Sequence, residues 1–377
     1  MRRPYPLAPL IIVSAIMVAA GFWPFHFFQE NNVHRIQEGK GLRFTNPGIA
    51  FIRFPTDNNP SPLIPARPIT VEFMVIPAEE PSRSVPQLLT FCDAEGNQLL
   101  AFGQWKSELI IRSTTPGQRR RKVYSETGAS GVLKKQSPSH VTIVSHGGDV
   151  VIYAGGKFAK ERRDFPLLRR GDVSPNLIVV GNSSTGKNPW KGDLLYLAIH
   201  DRALSPKEIA ERYSRLEDRG IPEEDSGAMP LMEYTFEERG GDVARNRAGG
   251  RFPLSIPRLF RPIKMTLLAL PEPKDLFTRS NIIDVFINIF GFIPFGILVT
   301  ALLKTKLGDR GTFRVLFLLI LAGGVFSLSI EILQLFLPNR HSSLLDLITN
   351  VLGTLIGGAL VIGLSREEGR IRKPLGM

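Results

Sequence analysis

The chain has 377 residues, with 47 Lys and Arg against 35 Asp and Glu, a formal net charge of +12. That length suits two or three domains, and the basic excess suits anionic lipid headgroups or anionic envelope polymers as neighbours. The one cysteine, Cys92, excludes an intrachain disulfide and a paired-cysteine metal site.

Mean hydropathy is +0.02, because a polar middle lies between very apolar ends. Arg2 and Arg3 precede an apolar run from position 7 to 25, and Trp23, Phe25, Phe27 and Phe28 cluster at its end. Aromatic side chains gather in this way at a membrane–water interface. Residues 1–28 are therefore expected to form a first transmembrane helix. The alternative is a signal peptide cleaved near Ala19 and Ala20, but the apolar stretch continues past that point.

Residues 41–216 change character. Short runs rich in β-branched and aromatic residues alternate with Gly, Pro, Asn and Ser. Strands are expected at 69–76, 88–92, 98–102, 109–113, 141–145, 150–153, 177–181 and 193–200, with a turn at 93–97 and a hairpin across 146–149. Many short strands at even spacing predict an all-β sandwich. One helix is signalled by Ser205-Pro206-Lys207-Glu208: a capping serine, a proline at the first helical position and a glutamate at the third. Ile209 and Tyr213, four apart, would pack back on the sheet.

The block Trp190-Lys191-Gly192-Asp193-Leu194 through Asp201-Arg202-Ala203-Leu204-Ser205 resembles the closing strand and helix of the concanavalin A-like, laminin-G-like superfamily. The resemblance implies a glycan- or protein-binding module, glycosidases being some of its members. A retaining glycosidase needs two carboxylates roughly 5 Å apart. Glu72 and Asp193 each stand alone on their strands, so the domain is expected to be non-catalytic. A calcium site through Asp or Asn oxygens is left without an assigned ligand set; no other cofactor is expected. Basic clusters at 119–122, 134–135, 160–163 and 169–170 read as solvated loops, the sharper alternative being a face toward anionic lipid. Residues 217–280 read as a linker, with a strand over 231–236 that returns to the sandwich and an extended or amphipathic stretch over 254–270.

Three further spans, 282–303, 315–337 and 344–364, are each long enough to cross roughly 30 Å of hydrocarbon. Lys304, Lys306, Arg310 and Arg314 lie between the first two, and Arg366, Arg370, Arg372 and Lys373 fill a basic tail over 366–377. Positive charge marks the cytoplasmic side, which places both termini inside and the sandwich outside, in the inner membrane. Nucleic acid is then not an expected partner; membrane lipid, glycan, lipid-linked glycan or an envelope protein is. Each span carries polar residues on one helix face: Asp284 with Asn288, Glu331 with Gln334, and Asp346 with Asn350. Arg340 and His341 fall on the short outer loop.

The pattern Asp284-x3-Asn288-x2-Gly-Phe-Ile-Pro-Phe-Gly, followed by Glu331-x2-Gln334-x5-Arg340-x5-Asp346-x3-Asn350-x2-Gly353, resembles the VanZ-like family of bacterial membrane proteins. It covers a membrane domain over 281–365. The resemblance implies cell-wall or exopolysaccharide physiology and tolerance of glycopeptides, with no established chemistry. Three readings of the polar set stay open. It is a hydrogen-bond network tying helices together; or a binding site for a polar headgroup made of Asp284, Asn288, Glu331, Gln334, Arg340, Asp346 and Asn350; or a membrane enzyme acting on a lipid-linked envelope precursor, with Glu331 as acid or base and His341 or Asp346 as its partner. No ligand spacing demands a metal, and no nucleophile elbow or phosphate loop supports the enzyme. The fold class expected is a four-helix membrane bundle plus a concanavalin A-like sandwich.

Overall fold

The computed structural model describes residues 7–23, 25, 27–36, 41–55, 61–114, 124–219, 229–270, 277–307, 312–337, 340 and 342–371. The chain divides into two units, Phe28–Lys264 and the pair Met1–Phe27 with Met265–Met377. In chain order the elements begin with α1 (Leu7–Phe22), β1 (Val33–Arg35), β2 (Leu42–Phe44), β3 (Ala50–Arg53), β4 (Ile69–Pro77), β5 (Gln87–Cys92) and β6 (Gln98–Trp105). They continue with β7 (Glu108–Thr114), β8 (Tyr124–Ala129), β9 (Ser139–His146), β10 (Asp149–Ala154), β11 (Lys157–Arg162), β12 (Leu177–Val180) and β13 (Gly192–His200). The remainder are α2 (Pro206–Arg219), β14 (Met232–Tyr234), β15 (Val243–Ala244), β16 (Leu254–Ser255), α3 (Arg279–Leu307), α4 (Thr312–Gln334) and α5 (Leu344–Ile371).

The sandwich consists of two antiparallel sheets. One runs β1-β2-β13-β4-β9-β10-β11, with β14 on the second half of the β13 edge that β2 occupies in its first half. The other runs β15-β16-β3-β12-β5-β6-β7-β8. Alternation explains which face each strand buries: Val71, Phe73 and Val75 of β4 are fully buried in the core with Leu194 and Leu197 of β13, Leu89 and Phe91 of β5, and Phe102 of β6. The β9–β10 hairpin turns through Gly147 and Gly148, both at positive φ (63° and 94°), which glycine adopts without a Cβ clash. Trp190 is buried at the sheet junction, its indole N–H donating to Gln104 Oε1 at 2.8 Å.

All eight expected strands are present. The strand expected over 231–236 is β14, and the stretch after it adds β15 and β16 to the second sheet. From Ile256 the chain runs without helix to Lys264, and Phe260 and Ile263 pack on Ile49, Leu177 and Val179. Strand β11 carries no apolar alternation; all its residues are exposed and it forms an edge, where charged side chains discourage further pairing.

Helix α2 starts as a reciprocal capping box. Glu208 N–H donates to Ser205 Oγ at 3.3 Å, and Ser205 N–H donates to the Glu208 carboxylate at 2.7 Å. Burial works to raise the Glu208 carboxyl, but the Ser205 bonds and Arg202 outweigh it and bring the carboxyl down to about 2. Ile209 is fully buried against Val144 and Tyr153, and the Tyr213 ring lies 5.3 Å from that of His140. Ser205→Ala is expected to destabilise the sandwich by about 1 kcal/mol, measured as a shift in the denaturant midpoint followed by Trp190 fluorescence.

In the other unit, α3, α4 and α5 contain stretches of 26, 23 and 21 residues that are long and apolar enough to cross a membrane. The fourth expected span differs. Helix α1 is 16 residues long, about 24 Å at the helical rise, against roughly 30 Å of hydrocarbon. It stops at Phe22 because Pro24 disfavours helical geometry at Trp23. Helices α3 and α5 touch backbone to backbone: a Cβ added at Gly353 would lie 2.2 Å from Ile289 O, and one at Gly357 would lie 2.2 Å from Ile293 O. Small residues permit such an approach between apolar helices.

Candidate functional site

The polar residues of the three long helices meet at one end of the bundle. This is where the first turns of α3 and α5 lie beside the last turn of α4. Asp346 sits in the first turn of α5. Its backbone N–H donates to Ser343 Oγ at 3.4 Å, and its carboxylate accepts from Ser343 and from the Asn288 side chain of α3. Asp284 of α3 and Arg340 are the charges that act on it. Glu331 of α4 is buried, and its Oε2 accepts the Ser343 N–H at 2.8 Å. The Glu331 and Asp346 carboxylates act on one another electrostatically.

One turn further along α5, Asn350 donates from Nδ2 to Ser327 Oγ of α4 at 2.9 Å, while its Oδ1 has no partner. Asn350 is 4% exposed and Ser327 is fully buried. The order of residues on both helices is thus repeated in space: Ser327 and Glu331 on α4 face Asn350 and Asp346 on α5.

Two of the expected residues turn elsewhere. Gln334 donates to Gly21 O of α1 at 3.0 Å, and Arg340 donates to Trp23 O at 2.9 Å, so both grip carbonyls at the end of α1. His341 lies outside the described residues. Ser342 and Ser343 were not singled out in the sequence, yet they organise the site. Ser342 Oγ accepts the Leu268 N–H and Ser342 O accepts the Ala269 N–H. Ala269 and Ser343 form an isolated parallel bridge, which ties the chain at Leu268 and Ala269 to the start of α5. The spacing Ser343-x-x-Asp346 is a capping box and was the signal available for this.

The sandwich holds a second polar cluster, beneath α2. Glu72 of β4 is wholly buried; its Oε1 pairs with His140 Nε2 at 2.8 Å and its Oε2 accepts from Arg212 Nε at 2.9 Å. His200 Nε2 stands 3.7 Å away, beyond hydrogen-bond length. Arg212 also donates to the Tyr196 hydroxyl, which donates to Glu233. Burial works to raise the Glu72 carboxyl, but His140, His200 and Arg212 hold it far below the ordinary carboxylate range. Burial lifts the Tyr196 hydroxyl, with Glu72 adding to the effect. With Glu72 sealed from solvent, the cluster fixes α2 to the sheet. Burial likewise pushes the Cys92 thiol up to about 12, leaving it unreactive. Among the described residues, no group of three His, Cys, Asp or Glu side chains is arranged to hold a metal ion.

Comparison with known proteins gives two matched regions. Residues 237–365, which include β15 and β16 as well as α3, α4 and most of α5, match the family model VanZ/LLP1. Residues 54–210 match the model of the concanavalin A-like lectin/glucanases superfamily. No curated protein matches the chain. Among solved structures, a protein of Bacteroides ovatus described as carbohydrate binding is 14% identical over 59% of this chain and 60% of its own, with a TM-score of 0.40. The ligand-binding domain of botulinum neurotoxin serotype D, in complex with N-acetylneuraminic acid, is 13% identical over 51% of this chain and 46% of that one (TM-score 0.39). A heptameric pentraxin from Limulus polyphemus is 16% identical over 57% and 93% (TM-score 0.38). The chain therefore spans less than two thirds of the length of the first two.

Proposed function

We propose that this membrane protein, a VanZ/LLP1 region joined to a concanavalin A-like domain, recognises an envelope glycan or protein with its sandwich and holds a polar lipid headgroup at the outer end of its helices. The observation that carries the reading is the meeting of Asn288, Glu331 and Asp346, from three different helices, within hydrogen-bonding and electrostatic reach at one end of the bundle. Carboxylates are costly in an apolar bundle, and polar contacts between membrane helices average only about 0.6 kcal/mol. A network kept for stability alone would be an inefficient use of them.

The charge pattern supports the orientation. Lys304 and Lys306 close α3 and Arg314 opens α4, at the opposite end from the cluster. Basic residues mark the cytoplasmic face, so the cluster faces outward in the inner membrane, the C-terminal end of α5 is inside and the sandwich is extracytoplasmic. The physiological setting is cell-wall or exopolysaccharide handling, including glycopeptide tolerance.

Glu331→Gln keeps the shape of the side chain and removes its charge. It is expected to leave the protein folded and inserted while abolishing its contribution to glycopeptide tolerance or polymer output in cells. Full activity in that variant, at wild-type abundance, would return the cluster to a packing role. Turnover of a lipid-linked glycan by purified protein, lost in the same variant, would make the site an active site instead.

A further inference from the structure

Resting on the reading that the sandwich recognises an envelope glycan, we infer that this glycan is acidic and lies in a groove of about 560 Å³ between β1 and the turn before β15. Three stretches line the groove, 30–35, 239–242 and 256–259, all within the unit Phe28–Lys264. Strand β1 ends one sheet and β15 ends the other, so the groove runs along the side where both sheets stop. Its size falls within the roughly 300–1,000 Å³ of ligand clefts. The walls are fixed before any ligand arrives. Asn31, 7% exposed, donates its backbone N–H to Arg258 O at 3.0 Å and its side-chain amide to Pro257 O at 2.7 Å, which pins the first stretch to the third. Ordering these segments during folding removes that entropy loss from binding. Val33, Ile256 and Pro257 supply apolar surface for the C–H face of a sugar ring.

Hydrogen-bonding capacity selects the acid. The Arg35 side chain is 11% exposed and held by three acceptors: Glu238 Oε2 at 3.1 Å, Val243 O at 2.7 Å and Gly241 O at 3.4 Å. Of the five guanidinium N–H groups, one on each terminal nitrogen remains. Arg258 commits its Nε to Asp242 Oδ2 at 2.9 Å and keeps both terminal nitrogens. Arg239 is exposed and makes no hydrogen bond or ion pair among the described residues. The lining carboxylates are those of Glu30 and Asp242, and Asp242 already receives Arg258. Glu238, which is not in the lining, also accepts the Arg245 N–H at 2.6 Å, so both of its oxygens are engaged. Three guanidiniums with spare N–H groups thus line the groove, against one carboxylate without a partner. A carboxylate or phosphate accepts hydrogen bonds only, carries the opposite charge and matches the planar guanidinium fork. A uronic acid and a phosphodiester-linked sugar share that chemistry. An amine would meet donors of its own sign.

The test uses the full-length protein in phosphatidylcholine nanodiscs, which present no net lipid charge, with binding followed by biolayer interferometry. The probes are oligogalacturonate, a phosphomannan fragment and a neutral mannan fragment of similar length. At least one acidic probe should bind about tenfold or more tightly than neutral mannan, and the one preferred identifies the acid as carboxylate or phosphate. Arg239→Ala should weaken that binding about tenfold, within the range for a charge-assisted hydrogen bond. Gly240→Trp fills the groove without changing its charge and should abolish binding; an added Cβ there meets nothing within 4 Å, so the fold is kept. Lys160→Ala is the control, on the exposed strand β11 at the opposite end of the first sheet, and should leave binding unchanged. Equal affinity for neutral mannan would overturn the acid and leave the glycan reading standing. Acidic-probe binding that survives Gly240→Trp and falls equally in Arg239→Ala and Lys160→Ala would overturn the groove in favour of diffuse charge attraction. No binding of any probe would overturn the acidic groove, and silence across a glycan array as well would overturn the glycan reading with it.

Discussion

Gly357→Val is expected to separate α3 from α5 and to destabilise the helical unit by about 3 kcal/mol or more, at the upper end of what overpacking costs. A Cβ at Gly357 would lie 2.2 Å from Ile293 O and 2.9 Å from Ile297 N. Both are backbone atoms of α3, which has no side chain there to swing aside. Gly353 meets Ile289 O at 2.2 Å, and from the other side Gly296 meets Thr354 O at 2.1 Å, so three contacts along one seam would be pried open. The same seam carries Asn288 to Asp346, and the polar cluster should disperse with it. The measurement is the thermal midpoint and monodispersity of the full chain in detergent. Gly363→Val is the control, because an added Cβ there meets nothing within 4 Å. Equal behaviour of the two variants would refute the close approach.

The second large effect is expected at Arg212. Its guanidinium neutralises Glu72, which is wholly enclosed between β4 and α2. Arg212→Ala leaves that carboxylate charged without its guanidinium partner, which typically costs about 3–5 kcal/mol. Glu72→Gln should cost less, since the amide keeps the shape and one acceptor while removing the charge. The pH dependence separates the variants further. The folded-state pKa of Glu72 lies below its ordinary value of 4.5. Its contribution to stability is therefore complete above that value and erodes as pH falls below it toward the folded-state pKa. Denaturant midpoints of the wild type should decline below pH 4.5 more steeply than those of Glu72→Gln. Identical slopes would show that Glu72 is not the group responsible.

The two clusters differ in how much of them can be read along the chain. The membrane set was legible because it is a violation. Asp284, Asn288, Glu331, Gln334, Asp346 and Asn350 interrupt long apolar runs, and helical periodicity puts each pair on one face. The capping residues of α2 were legible for a similar reason, since Ser205, Pro206 and Glu208 interact within one turn. The eight expected strands showed themselves as short β-branched and aromatic runs, four-residue β12 among them, whereas six-residue β8 did not. Strand β11, made of Lys, Phe, Ala, Lys, Glu and Arg, has no such run and was not foreseen, nor were three-residue strands such as β1 and β2.

Glu72 shows where local pattern stops. In the sequence it is a lone acid on a strand. In the fold, His140 from β9, His200 from β13 and Arg212 from α2 close over it, across separations of 68 and 140 residues for His140 and Arg212. Whether Gln334 would join Glu331 or turn to Gly21 was equally beyond periodicity, because both lie on one face of α4 and the choice depends on where α1 packs. Hydropathy, capping and alternation are properties of neighbours a few residues apart, and the chain states them directly. Which polar groups meet depends on sheet order and helix seams built from contacts distant in sequence, so the type of the longer elements and the three long spans were settled locally while the partners of Glu72, Gln334 and Asp346 were settled by packing.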